Sequence, residues 1–237
     1  MVVESGNAAA IPVILCHGYG APGQDLVSLV EPLADWLEDS IEAFRFVFPA
    51  APLAPREMAS YGGRAWWAIN MAQLLAASQT GTFSELHELE PPGIMEATAK
   101  LVDCVREVMA ETKPAVVTSD DDYVLGGFSQ GAMLTMNAAL RSDLPPPRLL
   151  VQFSGTVVCL KQWQAAMAEG RLANTQVLQS HGRYDTILPF SSAERLSQLL
   201  QDAKVDQQFV AFDGPHSIPM EPLMQLAVKL KRIVAPK

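Results

Sequence analysis

Apolar runs separated by stretches of helical periodicity predict an α/β fold, a mainly parallel, doubly wound sheet flanked by helices. The runs, at 11–16, 44–48, 123–125, 149–153, 177–179 and 209–212, are continuous rather than alternating, as strands covered on both faces require. No internal repeat and no linker divides the 237 residues, so one domain is expected over 1–237, with a substrate-site or lid insertion around 50–92. A domain of this length buries roughly 70–75% of its unfolded surface and needs no disulfide or metal staple.

Taken in order, Ile11–Cys16 reads as a strand that runs into His17-Gly18-Tyr19-Gly20. Leu26, Leu29, Val30, Leu33 and Leu37 recur at helical spacing and predict a helix over 25–39. The strand at 44–48 is closed by Pro49, and the prolines and glycines of 49–63 predict an extended loop. Residues 64–77 read as a helix apolar nearly all round, with Trp66, Trp67, Ile69, Met71, Leu74 and Leu75. Such a stripe is a lid or acyl-binding wall, or an ordinary buried helix. Residues 81–93 read as irregular, with His87 a solvated surface residue among glutamates. An amphipathic helix at 94–111 stops at Lys113-Pro114, and Asp120 to Asp122 lead into the next strand. Pro145 to Pro147 turn into the strand at 149–153. The last two strands each precede a helical stretch, at 191–202 and 222–234.

Composition narrows the function. With 49% hydrophobic and 18% charged residues the chain is ordinary globular material. A net charge of −9 argues against a nucleic-acid partner, which would call for a basic stripe. Cys16, Cys104 and Cys159 share no metal-type spacing and read as reduced thiols, so no metal site is expected. Met1 to Ala10 carry Glu4 and no basic stretch, which is unlike a secretory signal. The long uncharged stretches, 65–84 and 123–140, are broken by Asn, Gln, Ser or Gly, so no transmembrane segment is expected and the cytoplasm is the default.

Chemistry enters at Gly127-Phe128-Ser129-Gln130-Gly131, a G-x-S-x-G between the run at 123–125 and the helical pattern of Ala132, Met133, Met136 and Leu140. Strand, sharp turn at a serine, then helix, is the context that exposes a nucleophilic hydroxyl. The alternative is a glycine-rich loop with Ser129 as an N-cap. A serine needs a base, and the base an orienting acid. Among four histidines, His216 follows the last strand, on the sheet edge where ligands bind in open α/β folds. His17 and His181 also follow strands. Asp185 lies between serine and histidine in the chain order this arrangement uses, just past the penultimate strand. Asp213, three residues before His216, is the rival and reads as a turn residue. The oxyanion hole would take backbone N–H groups from Gln130 and Tyr19.

On these residues the chain resembles the phospholipase/carboxylesterase group of α/β-hydrolases, which includes acyl-protein thioesterases and lysophospholipases. The resemblance spans nearly the whole chain: His17-Gly18-Tyr19-Gly20, the elbow, Arg64-Ala65-Trp66-Trp67, His181-Gly182 through Asp185 to Leu188-Pro189, and Gly214-Pro215-His216 with Glu221. Family members usually carry Asp at the positions of Ala21 and Ala68 and Gly at that of Ala132. The resemblance implies Ser129 as nucleophile, Asp185 as orienter, His216 as base, and Tyr19 and Gln130 as oxyanion donors. It places His17, Gly18, Trp66, Trp67 and Leu188 at the substrate site. The implied activity is cofactor-free cleavage of a carboxylic ester or thioester, on a small-molecule or lipid acyl ester or an S-acylated protein.

Other chemistries are weaker. Gly18-x-Gly20-x-x-Gly23 also matches a dinucleotide fingerprint of an oxidoreductase, but the second strand ends without the acid that would hold a ribose. Cys16 as a nucleophile is disfavoured, because neighbours on a strand point to opposite faces. An inactive binding protein on a hydrolase scaffold is the remaining alternative.

Overall fold

The structure, a computed structural model, describes residues 2–5, 10–80, 82–112 and 122–235. Its elements in chain order are β1 (Val2–Ser5), β2 (Ile11–Cys16), α1 (Val30–Leu37), β3 (Phe44–Pro49), α2 (Met71–Thr80), α3 (Phe83–Leu86), α4 (Ile94–Glu111), β4 (Val124–Phe128), α5 (Gln130–Arg141), β5 (Leu149–Phe153), α6 (Leu160–Ala168), β6 (Gln176–Gly182), α7 (Phe190–Asp202), β7 (Asp206–Phe212) and α8 (Met220–Val234). The strands form one sheet in the order β1-β3-β2-β4-β5-β6-β7. All neighbours from β3 to β7 pair in parallel, and β1 adds an antiparallel edge against β3.

Every residue of β2 and β3 is buried, as their unbroken apolarity requires. The period of two divides them between two layers. Val13, Leu15 and Phe46 pack with Leu33 and Leu37 of α1 and Leu223, Leu226 and Leu230 of α8. Ile14, Cys16 and Val47 face the opposite layer with Leu101 of α4, Leu134 of α5, Trp163 of α6 and Leu196 of α7. Cys16 is therefore a core thiol, and burial pushes its pKa well up. The chain order reverses direction about β2, which has β3 on one side and β4 on the other, so the loops after β2 and β4 open side by side.

Several expectations need correction. Residues 64–70 are not helical. Their amides are captured by partners remote in sequence: Arg64 N–H donates to Ala21 O (3.0 Å), Ala65 N–H to Leu53 O (3.1 Å) and Trp66 N–H to Gln130 Oε1 (3.0 Å). The helix begins only at Met71, where Asn70 Oδ1 accepts the Gln73 amide at 3.1 Å as a cap. The 25–39 helix is a 3-10 turn, Asp25–Leu29, leading into α1, and a second 3-10 turn, Glu38–Ala43, follows. The loop at 49–63 contains a 3-10 turn, Arg56–Tyr61, and the stretch at 81–93 contains α3. His87 is buried, not solvated: its Nε2 shares a 3.1 Å hydrogen bond with Ser192, and burial lowers its pKa. Helix α6 is an addition to the expected elements; Leu160, Trp163 and Met167, all buried, mark its inner side. Strand β1 had too little apolar pattern to announce itself. Lys113-Pro114, expected to stop α4, and Asp120-Asp121 lie outside the described residues.

Gly131 sits where α5 passes over β2, and a Cβ there would collide with the Cys16 carbonyl. Gly131→Ala gains at most about 1 kcal/mol of helix propensity but incurs overpacking of about 1–3 kcal/mol. The net loss should lower the thermal midpoint by a few degrees, at about 2–4 °C per kcal/mol for a chain of this size, read by circular dichroism.

Candidate active site

Strand β4 delivers the chain into a strained turn: Ser129 has φ 54° and ψ −117°. The turn is held by Ser129 N–H donating to Phe153 O at 2.9 Å and by Met133 N–H donating to Ser129 O at 3.2 Å. Gly127 permits it, since a Cβ there would meet Cys16 O at 2.5 Å and the Gly131 carbonyl carbon at 2.7 Å. The Ser129 side chain makes no capping hydrogen bond to α5, so the N-cap reading fails. Ser129 instead lines a cavity that His216 also lines. Among the described residues its hydroxyl has no hydrogen-bond partner.

Strands β6 and β7 bring the other two groups together. Asp185 and His216 lie on the loops that follow them, and Asp185 Oδ2 is 2.6 Å from His216 Nδ1. The two loops are locked to each other: Arg183 N–H donates to Phe212 O (2.9 Å) and Tyr184 N–H to Gly214 O (3.0 Å). Gly182 is required at the crossing, because a Cβ would strike the Gly214 and Pro215 carbonyls. The His216 ring packs on Phe128 with centroids 4.7 Å apart, which places it over the elbow. Asp213 is no rival in this geometry. Its carboxylate is exposed and pairs with Arg183 at 3.3 Å.

Asp185 is buried and surrounded by donors. Its Oδ1 accepts the Ile187 and Leu188 amides, both at 2.8 Å. Its Oδ2 receives His216 and lies 3.1 Å from His181 Nε2. That His181 nitrogen also faces Leu188 O at 2.8 Å, and two acceptors at one nitrogen require the proton to be on Nε2. Burial acts to raise the Asp185 pKa, but the hydrogen bonds from His181 and His216, the His216 charge and the Leu188 amide outweigh it and hold the carboxyl well below its usual range. Sequence reading placed His181 only as a strand-end residue. Its signal was the spacing of four to Asp185 within one motif.

Across the site, among the described residues, no group accepts the Tyr19 or Gln130 backbone amide; Tyr19 lines the same cavity as Ser129, and Gln130 opens α5 directly after it. The Gln130 side chain is buried and serves the scaffold, with Oε1 accepting Trp66 N–H and Nε2 donating to Trp67 O at 2.9 Å. Gly18, Tyr19, Trp67 and Leu188 line the cavity, whereas His17 and Trp66 stand behind its wall. The cavity is about 830 Å³ and mostly apolar, walled by Trp67, Leu74, Phe83, Met133, Val158 and Leu188. The glycine loop does not form a dinucleotide cradle. Gly20 N–H is taken by Arg64 O at 2.8 Å, and β3 ends in Phe48-Pro49 without a carboxylate.

A sequence model of the phospholipase/carboxylesterase family matches residues 1–233. Acyl-protein thioesterase 1 of Eremothecium gossypii is 29% identical over 195 residues, 81% of this chain and 74% of that protein. Among solved structures, esterase PE8 shares 26% identity at TM-score 0.69, covering 98% of both chains. Arabidopsis thaliana SOBER1, at 22% identity and TM-score 0.70 over 96% of this chain and all of that one, is alike in fold.

Because Asp185 is depressed in the folded protein, its stabilising contribution is complete above the unfolded carboxyl value of about 3.9 and is lost as pH falls through the lower folded value. The urea midpoint of Asp185→Asn should therefore trail wild type by a gap that starts to close only below about pH 4. A gap that already closes near neutrality would contradict the network described.

Proposed function

The chain belongs to the phospholipase/carboxylesterase family, a group of α/β-hydrolases that work through a serine, and on that premise we propose that it cleaves acyl esters or thioesters through an acyl-enzyme on Ser129. The observation that carries this reading is the 2.6 Å Asp185–His216 bond on the rim of a cavity that Ser129 shares. With Nδ1 committed to Asp185, His216 Nε2 is the nitrogen left to take the Ser129 proton. Oγ attacks the acyl carbon, and the carbonyl oxygen gains the charge that the Tyr19 and Gln130 amides would bind. Collapse breaks the bond to the leaving oxygen or sulfur, which takes the proton from His216. Water, deprotonated by the same ring, then releases the carboxylic acid and restores Ser129. Asp185, with its low pKa, remains a carboxylate throughout and stabilises the imidazolium that forms in each half-reaction.

The apolar wall fits the acyl half of the substrate. At about 830 Å³ the cavity is in the upper range of small-molecule sites, which suits an alkyl chain better than acetate. Residues 50–92, with α2 and α3, act in this reading as an insertion over that chain within one domain, since Trp67, Leu74, Phe83 and Leu86 all reach the cavity. The names of the relatives add S-acylated proteins to lipid and small-molecule esters as leaving-group classes. Cys16, Cys104 and Cys159 form no disulfide with one another, which suits the cytoplasm as the compartment. Among the described residues no helix is long and apolar enough to cross a membrane.

A fluorophosphonate probe should label the wild type and not Ser129→Ala; labelling that persists in the variant removes Ser129 from the mechanism. Asp185→Asn should lower turnover by about 10⁴-fold if it acts as the acid of a serine protease does, while Asp213→Asn should stay near wild type. Across p-nitrophenyl esters, Leu74→Trp should raise KM for octanoate and longer chains and leave butyrate almost unchanged. Uniform loss across chain lengths would argue against an acyl chain lying along α2.

A further inference from the structure

We infer that His17 is a positioning residue for the oxyanion hole, acting through the peptide bond between Gly18 and Tyr19. This rests on the functional reading above and gives a role to a histidine that the triad leaves unused. His17 is buried at 1% exposure and does not line the cavity. Both of its ring nitrogens are nevertheless engaged. Ala51 N–H donates to Nε2 at 3.0 Å, and Nδ1 lies 2.8 Å from Gly18 O.

These two contacts determine the tautomer. A backbone N–H can only donate, so Nε2 must offer a lone pair, and in the neutral ring the proton is on Nδ1. Nδ1–H then donates to Gly18 O. That carbonyl and the Tyr19 N–H are the two ends of one planar peptide. Holding the oxygen end therefore fixes the direction of the N–H end, the amide offered to the developing oxyanion. Donation to the carbonyl also polarises the peptide, which strengthens its N–H as a donor. Burial pushes the His17 pKa down, so the ring stays neutral and Nε2 remains an acceptor.

The surroundings keep the ring itself from turning. Trp66 packs against it at 5.4 Å between centroids, and Trp66 Nε1 donates to His17 O at 2.9 Å. The Trp66 amide is in turn held by the side chain of Gln130, whose own backbone N–H is the second oxyanion donor. Ala51 is also held at its own carbonyl, in the next peptide, because Arg64 Nε donates to Ala51 O. The two oxyanion amides, one after β2 and one after β4, are thus tied to one buried framework of His17, Trp66 and Gln130. Gly18 adds to the close packing: a Cβ there would lie 3.1 Å from the Phe128 ring, which would have to shift to admit it.

The test uses the full-length protein and short p-nitrophenyl esters. His17→Phe keeps the ring volume and loses both hydrogen bonds. Its kcat should fall about 10- to 100-fold, less than deletion of an oxyanion donor would cause, with KM within about twofold of wild type, as expected when only transition-state binding is lost. The inhibition constant of an alkyl boronic acid, which forms a tetrahedral adduct on serine, should rise by the same factor, while binding of a non-reactive ether analogue should not change. His17→Asn, whose amide N–H lies near the place of Nδ1, should recover most of kcat. Unchanged kcat in His17→Phe, or a fall in kcat without matching loss of boronic acid affinity, overturns the inference. If His17→Phe does not fold, the ¹⁵N spectrum of the wild-type imidazoles decides: an Nδ1–H tautomer for His17 is expected, and an Nε2–H tautomer overturns the proposal. A wild type that neither hydrolyses esters nor takes up fluorophosphonate would instead defeat the functional reading, whatever that spectrum shows.

Discussion

A single buried carboxylate organises the catalytic edge of this protein. Asp185 is shielded from water, which alone would favour its neutral form, yet four donors converge on it: the Ile187 and Leu188 amides, His181 Nε2 and His216 Nδ1. Charge-assisted bonds of this kind are roughly twice as strong as neutral ones, and each would leave a costly orphan if broken. The carboxylate therefore fixes the loop at 185–188, the strand end at 181 and the ring at 216 together. The His216 ring is placed by the same contacts that fold the edge.

That arrangement depends on strand order. Parallel strands present all their C-terminal ends on one side, so loops after β2, β4, β6 and β7 share a rim although they are far apart in the chain. Close approach of backbone to backbone does the rest. Gly127 and Gly131 let the elbow press on the Cys16 carbonyl, and Gly182 lets the loop of His216 cross the loop of Asp185. Nothing larger than hydrogen fits at these crossings. The strain stored at Ser129 is tolerated because the 2.9 Å bond to Phe153 O and the start of α5 overdetermine the turn.

The site has two characters that meet at Ser129. On one side are the polar relay and the backbone amides. On the other is an apolar chamber roofed by α2 and α3, whose leading segment is held at Trp66 and Trp67 by the Gln130 side chain. Gln130, buried at 0% exposure, thus serves both halves: its backbone follows Ser129 directly and its side-chain amide holds Trp66 and Trp67.

The chain's own pattern determined the parallel sheet and the glycine-flanked serine turn, and it put Asp185 and His216 on the two strand-end loops that the fold brings within hydrogen-bond distance of each other. These follow from local chemistry: unbroken apolar runs, glycines flanking a serine, and polar residues at strand ends. Local pattern misled at 64–70, where Trp66, Trp67 and Ile69 look helical but the amides go to Ala21, Leu53 and Gln130. It also misled at His87, whose glutamate neighbours suggest water although Ser192, 105 residues away, is its partner. The roles of His17 and His181 were equally out of reach, since both turn on which nitrogen meets which remote acceptor or donor. Short-range periodicity and turn chemistry are written in neighbouring residues; the satisfaction of buried polar groups is settled between residues that only the folded chain brings together.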